Sequence, residues 1–246
     1  MKCFGLTDKG RVRKDNQDSF IIEKCEAKNC LIVGLCDGMG GAKAGGLASQ
    51  LSNKAFVDFV YGKLTSRVER VQNYKNMLQS ACDEANGVSY EYSKFDEAYN
   101  GMGTTIVGGV MKNSGKAHII NVGDSRAYHV GKSGIRQVTK DHSLVQMMVD
   151  RGDLTPEVAK SYPGKNFITR AIGTETTVLC DIFHLDVGKG DYLLLCSDGL
   201  SNLLDDQEIL FEVVHGVYKQ NCCKRLLNIA KNRGAPDNVT SVLIAV

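Results

Sequence analysis

The order of strand-like and helix-like segments constrains the fold of this chain more than any other feature. Residues 2–36 hold short runs rich in Ile, Val, Leu and Phe, a composition typical of strands. Apolar residues then recur every three or four positions from 45 to 60 and from 71 to 92, which predicts two consecutive amphipathic helices. Later segments predict strands within 104–132, 177–186 and 191–197, helices at about 205–214 and 220–232, and a last strand in NVTSVLIAV.

Paired helices between groups of strands exclude the alternating rhythm of a doubly wound parallel sheet. The sequences KNSG and GKSG between strand-like runs favour hairpin turns. We therefore expect an α+β fold, a four-layer αββα sandwich of two stacked antiparallel sheets flanked by helix pairs. No internal repeat, low-complexity tract or linker interrupts the sequence, which predicts a single domain over 1–246.

Composition excludes several classes of protein. A net charge of +2 with no segment dominated by Lys and Arg argues against nucleic-acid binding. No apolar run approaches the roughly 18 residues needed to cross a bilayer, and the N-terminus lacks the apolar stretch of a signal peptide. The nine cysteines include no C-x-x-C pair. These features predict reduced thiols and a cytoplasmic protein that binds neither membrane nor nucleic acid.

Five aspartates stand where apolar strand-like runs begin or end. A buried carboxylate is costly unless it is paired or bound to a metal ion, and several carboxylates without His or Cys at ligand spacing suit Mg²⁺ or Mn²⁺. An Asp-Gly pair is also an ordinary turn, so spacing alone leaves both interpretations open. The five residues are Asp18, Asp37, Asp124, Asp198 and Asp237.

The motifs of other phosphate enzymes are missing. The glycine cluster GMGGAKAGG has Lys43 where a dinucleotide loop needs glycine, and Ala42 where a P-loop needs it. No cysteine has an arginine six positions further on, no Asp-x-Asp occurs, and Ser197 lacks the glycines of a hydrolase elbow. Covalent routes through a cysteine, aspartate or serine nucleophile are therefore excluded.

Eight stretches together resemble the metal-dependent serine/threonine protein phosphatases of the protein phosphatase 2C class, particularly compact bacterial members. They occur in the order found in that family and extend from one end of the chain to the other. The stretches are GLTDKGRVRKDNQDSF (5–20), CDGMGG (36–41), GMGTT (101–105), NVGDSRAY (121–128), TKDHSLV (139–145), ITRAIG (168–173), LLLCSDGL (193–200) and APDNVTSVL (235–243).

The resemblance implies a site with two core ions, Mn²⁺ or Mg²⁺. Asp37 would bridge both ions, and the Gly38 carbonyl would be a further ligand. Asp18 would hold one ion, largely through water. Asp198 and Asp237 would hold the other.

The resemblance also implies roles around these ions. Asp124 and Asp198 would support a weaker third ion, and Asp124 would orient a water that protonates the leaving group. Arg13 would grip the substrate phosphate, since a guanidinium matches phosphoryl geometry. Asn238 would fix the preceding carboxylate from behind, and Ser143 would lie near the third ion. Many relatives have histidine where this chain has Ala42, which removes one candidate general acid.

The function implied is hydrolysis of phosphoserine and phosphothreonine in proteins by a metal-activated water. Its partners would be phosphorylated proteins, including the substrates of a eukaryotic-like serine/threonine kinase that this enzyme opposes, and the enzyme would be a monomer. Residues 142–172 correspond to the flap of relatives, either a substrate-facing lid or a plain helical insertion. Two alternatives stay open: a small-molecule phosphoester hydrolase, and a non-catalytic phosphoprotein-binding module of the same fold.

Overall fold

The computed structural model describes residues 1–40, 44–68, 71 and 73–246, so Ala42 and Lys43 lie outside the described residues. The strands are β1 (Lys2–Asp8), β2 (Asp18–Cys25), β3 (Cys30–Met39), β4 (Gly103–Thr104), β5 (Ile106–Lys112), β6 (Lys116–Val122), β7 (Arg126–Gly131), β8 (Gly134–Gln137), β9 (Asp181–Asp186), β10 (Tyr192–Cys196) and β11 (Val239–Ala245). The α-helices are α1 (Ala44–Thr65), α2 (Tyr74–Tyr92), α3 (Leu144–Arg151), α4 (Pro156–Ala159), α5 (Asp198–Ser201), α6 (Asp206–Val214) and α7 (Cys222–Asn232).

The strands form two antiparallel sheets. Sheet I has the order β1-β11-β10-β7-β8. Sheet II has the order β2-β3-β5-β6-β9, with the short β4 paired to the end of β3. Strands β1 and β11 are far apart in the sequence but are neighbours in sheet I, so sheet I is complete only when these two strands have paired.

Alternation along the central strands produces four layers. In β3, Ile32 packs with α1 and α2, while Val33 packs between the sheets. In β10, Leu194 packs against α6 and α7, while Leu195 faces sheet II. Both faces of these strands are covered, which explains why they read as continuous apolar runs. The predicted αββα sandwich is confirmed.

The buried face of α1 agrees in part with the apolar pattern over 45–60. Phe56 and Val60 of that pattern are fully buried, whereas Leu47 and Leu51 are only partly buried. Ala48 and Asn53 are fully buried instead, and Asn53 donates from Nδ2 to the Gly34 carbonyl of β3 at 3.3 Å. A side chain on Gly34 would collide with Asn53, since its Cβ would lie 2.1 Å from Oδ1. Beside Gly34 the helix therefore approaches the sheet through small and polar residues, while Phe56 and Val60 pack in the core further along the helix.

The predicted strand at 177–186 begins only at Asp181. The preceding segment bonds to side chains of α2 rather than to a neighbouring strand. Gln79 donates from Nε2 to the Val178 carbonyl at 3.2 Å, and Asn86 donates from Nδ2 to the Glu175 carbonyl at 2.9 Å. A β-rich composition was overridden here by tertiary contacts.

Residues 142–172 leave β8 and return to the sheet edge. The segment contains α3 and α4, and its two ends are joined by a bridge between Ser143 and Ile168. A second bridge joins Ile172 to Thr104 of β4. The segment is thus anchored at its base beside the strand that carries Asp37.

The structure also bears on the cysteine and membrane predictions. All nine cysteines lie in the described residues and are free. No helix among the described residues combines the length and the apolar character needed to cross a membrane.

Candidate active site

The five aspartates lie at neighbouring ends of the two sheets. Asp18 is the first residue of β2 and is the cross-strand partner of Asp37 in β3. Asp124 follows β6, Asp198 begins α5 directly after β10, and Asp237 precedes β11. Sheet II and sheet I therefore both supply carboxylates to one cleft. The stacking of two sheets brings together residues that are far apart in the sequence.

Burial and mutual repulsion raise the pKa values of Asp18, Asp37, Asp124 and Asp198. Burial is the largest cause for Asp37, whose pKa rises well above its usual range, and the four other aspartates add to it. Burial likewise raises the pKa of Asp18 to about 6 and that of Asp124 to about 8, with Asp198 adding in both cases. The pKa of Asp198 is raised by burial and then by Asp237. Like charges held this close require a counter-charge.

The donor set fits a hard divalent cation. Every candidate ligand is an oxygen, the ligand type that Mg²⁺ and Mn²⁺ prefer. Among the described residues no three His, Cys, Asp or Glu side chains are spaced to hold an ion directly. Asp37 lies close enough to Asp18 and Asp198 for their charges to raise its pKa, so the cluster retains protons when no cation is bound. Cations would replace those protons, partly through water as the resemblance implies for Asp18.

One oxygen of Asp18 is held by hydroxyl groups that the sequence did not single out. Oδ2 accepts from Ser197 Oγ at 2.8 Å and from Thr240 Oγ1 at 2.6 Å. Oδ1 is buried and finds no N–H or O–H donor among the described residues, so it is left for a cation. Both hydroxyls lower the pKa of Asp18 against the opposing effect of burial. Ser197 lies within the LLLCSDGL stretch, which was the only available signal.

Thr105 holds the backbone that carries Asp37. Asp37 donates its N–H to Thr105 Oγ1 at 3.0 Å, and its carbonyl accepts from the Thr105 N–H at 2.9 Å. The next residue, Gly38, must be glycine, because a Cβ there would lie 2.0 Å from the Gly45 carbonyl oxygen and 2.8 Å from that of Gln17. The start of α1 therefore packs directly on the predicted ligand peptide.

Arg13 lies at the rim of the cleft. Its Nη2 donates to Asp237 Oδ2 at 2.8 Å, and the arginine side chain is 54% exposed. The pKa of Arg13 is raised mainly by this hydrogen bond, with smaller contributions from Asp37 and Asp198. The Arg13 guanidinium is exposed and lies near three of the carboxylates. A phosphate bound to cations at these carboxylates would therefore lie within reach of the guanidinium.

Asn238 supports this rim differently from the prediction. Its backbone N–H, rather than its side chain, donates to Asp237 Oδ1 at 2.8 Å. The side chain holds the loop that carries Arg13: Nδ2 donates to the carbonyls of Lys9 at 3.0 Å and Asp15 at 2.9 Å, and Oδ1 accepts from the Gln17 N–H at 2.8 Å. Asn238 thus fastens the arginine loop to the entry of β11.

A cavity of about 770 Å³ opens from the Asp124 and Asp198 end of the cleft. Its walls come from residues 143–165 on one side and from α5 and the start of α6 on the other. Ser143 lines it and caps α3, since its Oγ accepts from the Gln146 N–H at 3.3 Å. The structure therefore gives Ser143 a helix-capping contact beside Asp124, and its relation to a third ion stays a prediction.

Comparison with known proteins agrees with this geometry. The model of the family described as Protein phosphatase 2C matches residues 9–232. The serine/threonine phosphatase stp of Listeria innocua is 34% identical over 241 residues, covering 97% of this chain and 93% of that protein. The crystal structure of the serine/threonine phosphatase Stp1 from Staphylococcus aureus has a TM-score of 0.92 and 34% identity, and the match covers 100% of this chain and 94% of that one.

A further solved structure bears on the metal. The catalytic domain of the serine threonine protein phosphatase PstP in complex with 2 manganese ions has a TM-score of 0.82 and 30% identity, with 98% and 96% of the two chains covered. This similarity supports metal dependence and agrees with the oxygen donors described above. The family match extends over almost the whole sequence, and the site carboxylates lie within it or directly after it. The chain belongs to the protein phosphatase 2C family.

Proposed function

We propose that this protein is a metal-dependent phosphatase that hydrolyses phosphoserine and phosphothreonine in other proteins. The observation that carries the proposal is the convergence of five aspartates from two sheets beside an exposed arginine. Carboxylates held this close together in a partly buried cleft destabilise a fold unless cations bind them. The similarity to proteins named serine/threonine phosphatases supports the substrate class.

The proposed site holds two core ions and a weaker third. Asp37 would contact both core ions, with the Gly38 carbonyl beside it. Asp18 would serve one core ion, and Asp198 and Asp237 the other. When bound, such ions activate water for attack at phosphorus and neutralise charge on the phosphoryl oxygens.

The remaining steps belong to side chains of this chain. Arg13 exchanges its contact with Asp237 for the phosphoryl oxygens, and its fixed positive charge stabilises the charge that develops there. Asp124, assigned with Asp198 to the third ion, orients the water that protonates the leaving serine or threonine oxygen. The cavity beside Asp124 leaves room for the peptide on that side. Residues 142–172 act as its lid, within a single domain of residues 1–246.

The proposed setting is cytoplasmic and monomeric. The enzyme would oppose a eukaryotic-like serine/threonine kinase and act on that kinase and its substrates. Light scattering during gel filtration tests the monomer, and phosphoproteomics of a deletion strain tests whether kinase substrates gain phosphate.

Hydrolysis of a phosphothreonine peptide tests the function. Activity should require added Mn²⁺ or Mg²⁺ and disappear with EDTA, because all proposed ligands are oxygens. Full activity in metal-free buffer would exclude the proposed chemistry. A nucleotide monophosphate in the same assay separates the alternatives: faster turnover of the nucleotide indicates a small-molecule hydrolase, and binding without turnover of either indicates a phosphoprotein-binding module.

A further inference from the structure

His142 holds the turn that carries Asp124. The ring Nδ1 of His142 accepts from the Gly123 N–H at 3.1 Å, and the backbone N–H of His142 donates to the Gly123 carbonyl at 2.9 Å. Both backbone polar groups of Gly123, the residue before Asp124, are therefore bound by one buried histidine. The His142 carbonyl also accepts from the Thr169 N–H at 2.8 Å, at the far end of the 142–172 segment.

The contacts of the ring select one tautomer. Nδ1 accepts a hydrogen bond, so in the neutral ring the proton must lie on Nε2. Nε2 faces Asp181 Oδ2 at 3.2 Å, which is able to accept that proton in a hydrogen bond. Arg170 Nη1 lies 3.1 Å from the same nitrogen, but two donors do not bond to each other. Arg170 bonds instead to Asp181 Oδ1 at 2.9 Å and to the Leu179 carbonyl at 3.0 Å.

The turn at Gly123 is tightly packed and cannot rearrange to replace its hydrogen bond to His142 Nδ1. Gly123 has φ +103, and a Cβ there would lie 2.5 Å from Thr105 Cγ2. Thr105 in turn holds the backbone of Asp37. Removing the ring nitrogen would leave the buried Gly123 N–H without its acceptor, and an unpaired buried donor destabilises the turn. The turn would then shift relative to Asp37 and Asp198.

We propose that His142 is a positioning residue that fixes the Asp124 carboxylate through the unprotonated Nδ1 of its ring. It touches neither substrate nor ion, and Asp181 with Arg170 keeps it in the required tautomer. The inference rests on the proposed function for the role of Asp124. A displacement of about 1 Å in such a group costs about 10²-fold in rate, so the effect should appear in kcat rather than in KM.

Two amide variants separate the ring nitrogens. Asparagine places Oδ1 where Nδ1 stands and keeps the acceptor for Gly123, whereas glutamine reaches Asp181 but leaves that N–H unpaired. His142→Asn should retain kcat on a phosphothreonine peptide within about threefold, and His142→Gln should lose about 10–100-fold with KM nearly unchanged. His129→Gln is the matched control, because His129 forms another His–Asp pair, with Asp191 at 3.0 Å, outside the cleft.

Two readouts do not depend on activity. Nitrogen-15 NMR of the wild type should show His142 with Nδ1 unprotonated and Nε2 protonated. Amide hydrogen exchange at residues 123–125 should be faster in His142→Gln than in His142→Asn. A proton on Nδ1, or equal kcat and exchange in the two variants, would overturn the proposal, and the wild-type tautomer decides if a variant fails to fold. An inactive wild type would refute the proposed function while the NMR and exchange data still judge His142.

Discussion

Replacing Thr240 by valine should weaken Mn²⁺ binding by about 10–100-fold while the protein stays folded. Thr240 is fully buried in β11 and gives its hydroxyl proton to Asp18 Oδ2 at 2.6 Å. Because a hydroxyl has one proton, the 2.6 Å contact with Thr7, its cross-strand neighbour in β1, must have Thr7 as donor. Thr7 accepts from Asn16 Nδ2 at 2.8 Å. A directed chain of hydrogen bonds thus ends on the carboxylate.

The magnitude follows from the lost charge-assisted bond. A hydrogen bond to a charged group contributes about 1.5–3 kcal/mol, and about 1.4 kcal/mol corresponds to tenfold in an equilibrium constant. Thr240 also lowers the pKa of Asp18, so its removal raises that pKa and lets protons compete better with the cation. Ser197 keeps its own bond to Oδ2, which limits the loss to one of two donors.

The assay is the Mn²⁺ activation midpoint on a phosphothreonine peptide, with calorimetric Mn²⁺ titration beside it. Thr7→Val is the matched control: it removes the same type of hydroxyl one step further from Asp18 and should shift the midpoint by less than about threefold. Circular dichroism verifies that both variants are folded. An unchanged midpoint in Thr240→Val, or an equal shift in Thr7→Val, would refute the reasoning.

Three further predictions test other groups. Arg13→Ala should lower kcat/KM on the peptide by about 10–100-fold with little change in Mn²⁺ affinity; an equal loss of metal would make Arg13 a support for Asp237. Asp124→Ala should keep two bound ions in a Mn²⁺ titration and lose about 10²–10⁴-fold on phosphopeptide, but less on an aryl phosphate, whose leaving group hardly needs a proton; equal losses would contradict its role. Burial, and then His184, lower the pKa of His118 to about 4, so stability should fall as pH drops below about 6.5, where the unfolded histidine gains a proton. Urea unfolding near neutral pH and at about pH 5 should show the wild type losing about 1 kcal/mol more than His118→Gln, a figure reduced for the half-exposed ring; parallel losses would refute it.

The layers and the aspartates were predictable because their signals are local. Each site aspartate terminates or begins an apolar run, and the change from strand to helix periodicity marks the helix pairs. Thr240 lies within the stretch APDNVTSVL, but the residue itself gave no sign of a contact with Asp18, since threonine is common in any strand. Its contact with Asp18 spans 222 residues and exists only because β11 lies between β1 and β10. The local sequence around Thr240 therefore does not predict its contact with Asp18, because that contact depends on the order of the strands in the sheet.

Asn238 and α1 are two further cases in which the local sequence did not predict the tertiary contacts. Adjacency in sequence suggested that the Asn238 side chain supports Asp237, but it points across to the loop of the neighbouring strand. In α1, Leu47 and Leu51 of the apolar pattern are only partly buried, whereas the polar Asn53, which contacts Gly34 of β3, is fully buried. Close backbone approach overrides hydrophobicity where one surface lacks side chains.

The hydroxyl donors around Asp18 explain how a buried cluster of acids is kept available for cations. A lysine or arginine at either position would neutralise Asp18 and repel an incoming ion, whereas Ser197 and Thr240 stabilise its charge without adding one. Arg126 also lies near Asp124 and Asp198, but Asp141 holds its guanidinium. Arg13 lies instead at the exposed rim, where it can leave Asp237 for a phosphate. The neutral hydroxyls of Ser197 and Thr240 leave Asp18 negatively charged, and Arg13 keeps its positive charge at the rim. The negative potential that attracts cations is therefore preserved. In the proposed mechanism, the substrate phosphate therefore displaces Arg13 from its ion pair with Asp237.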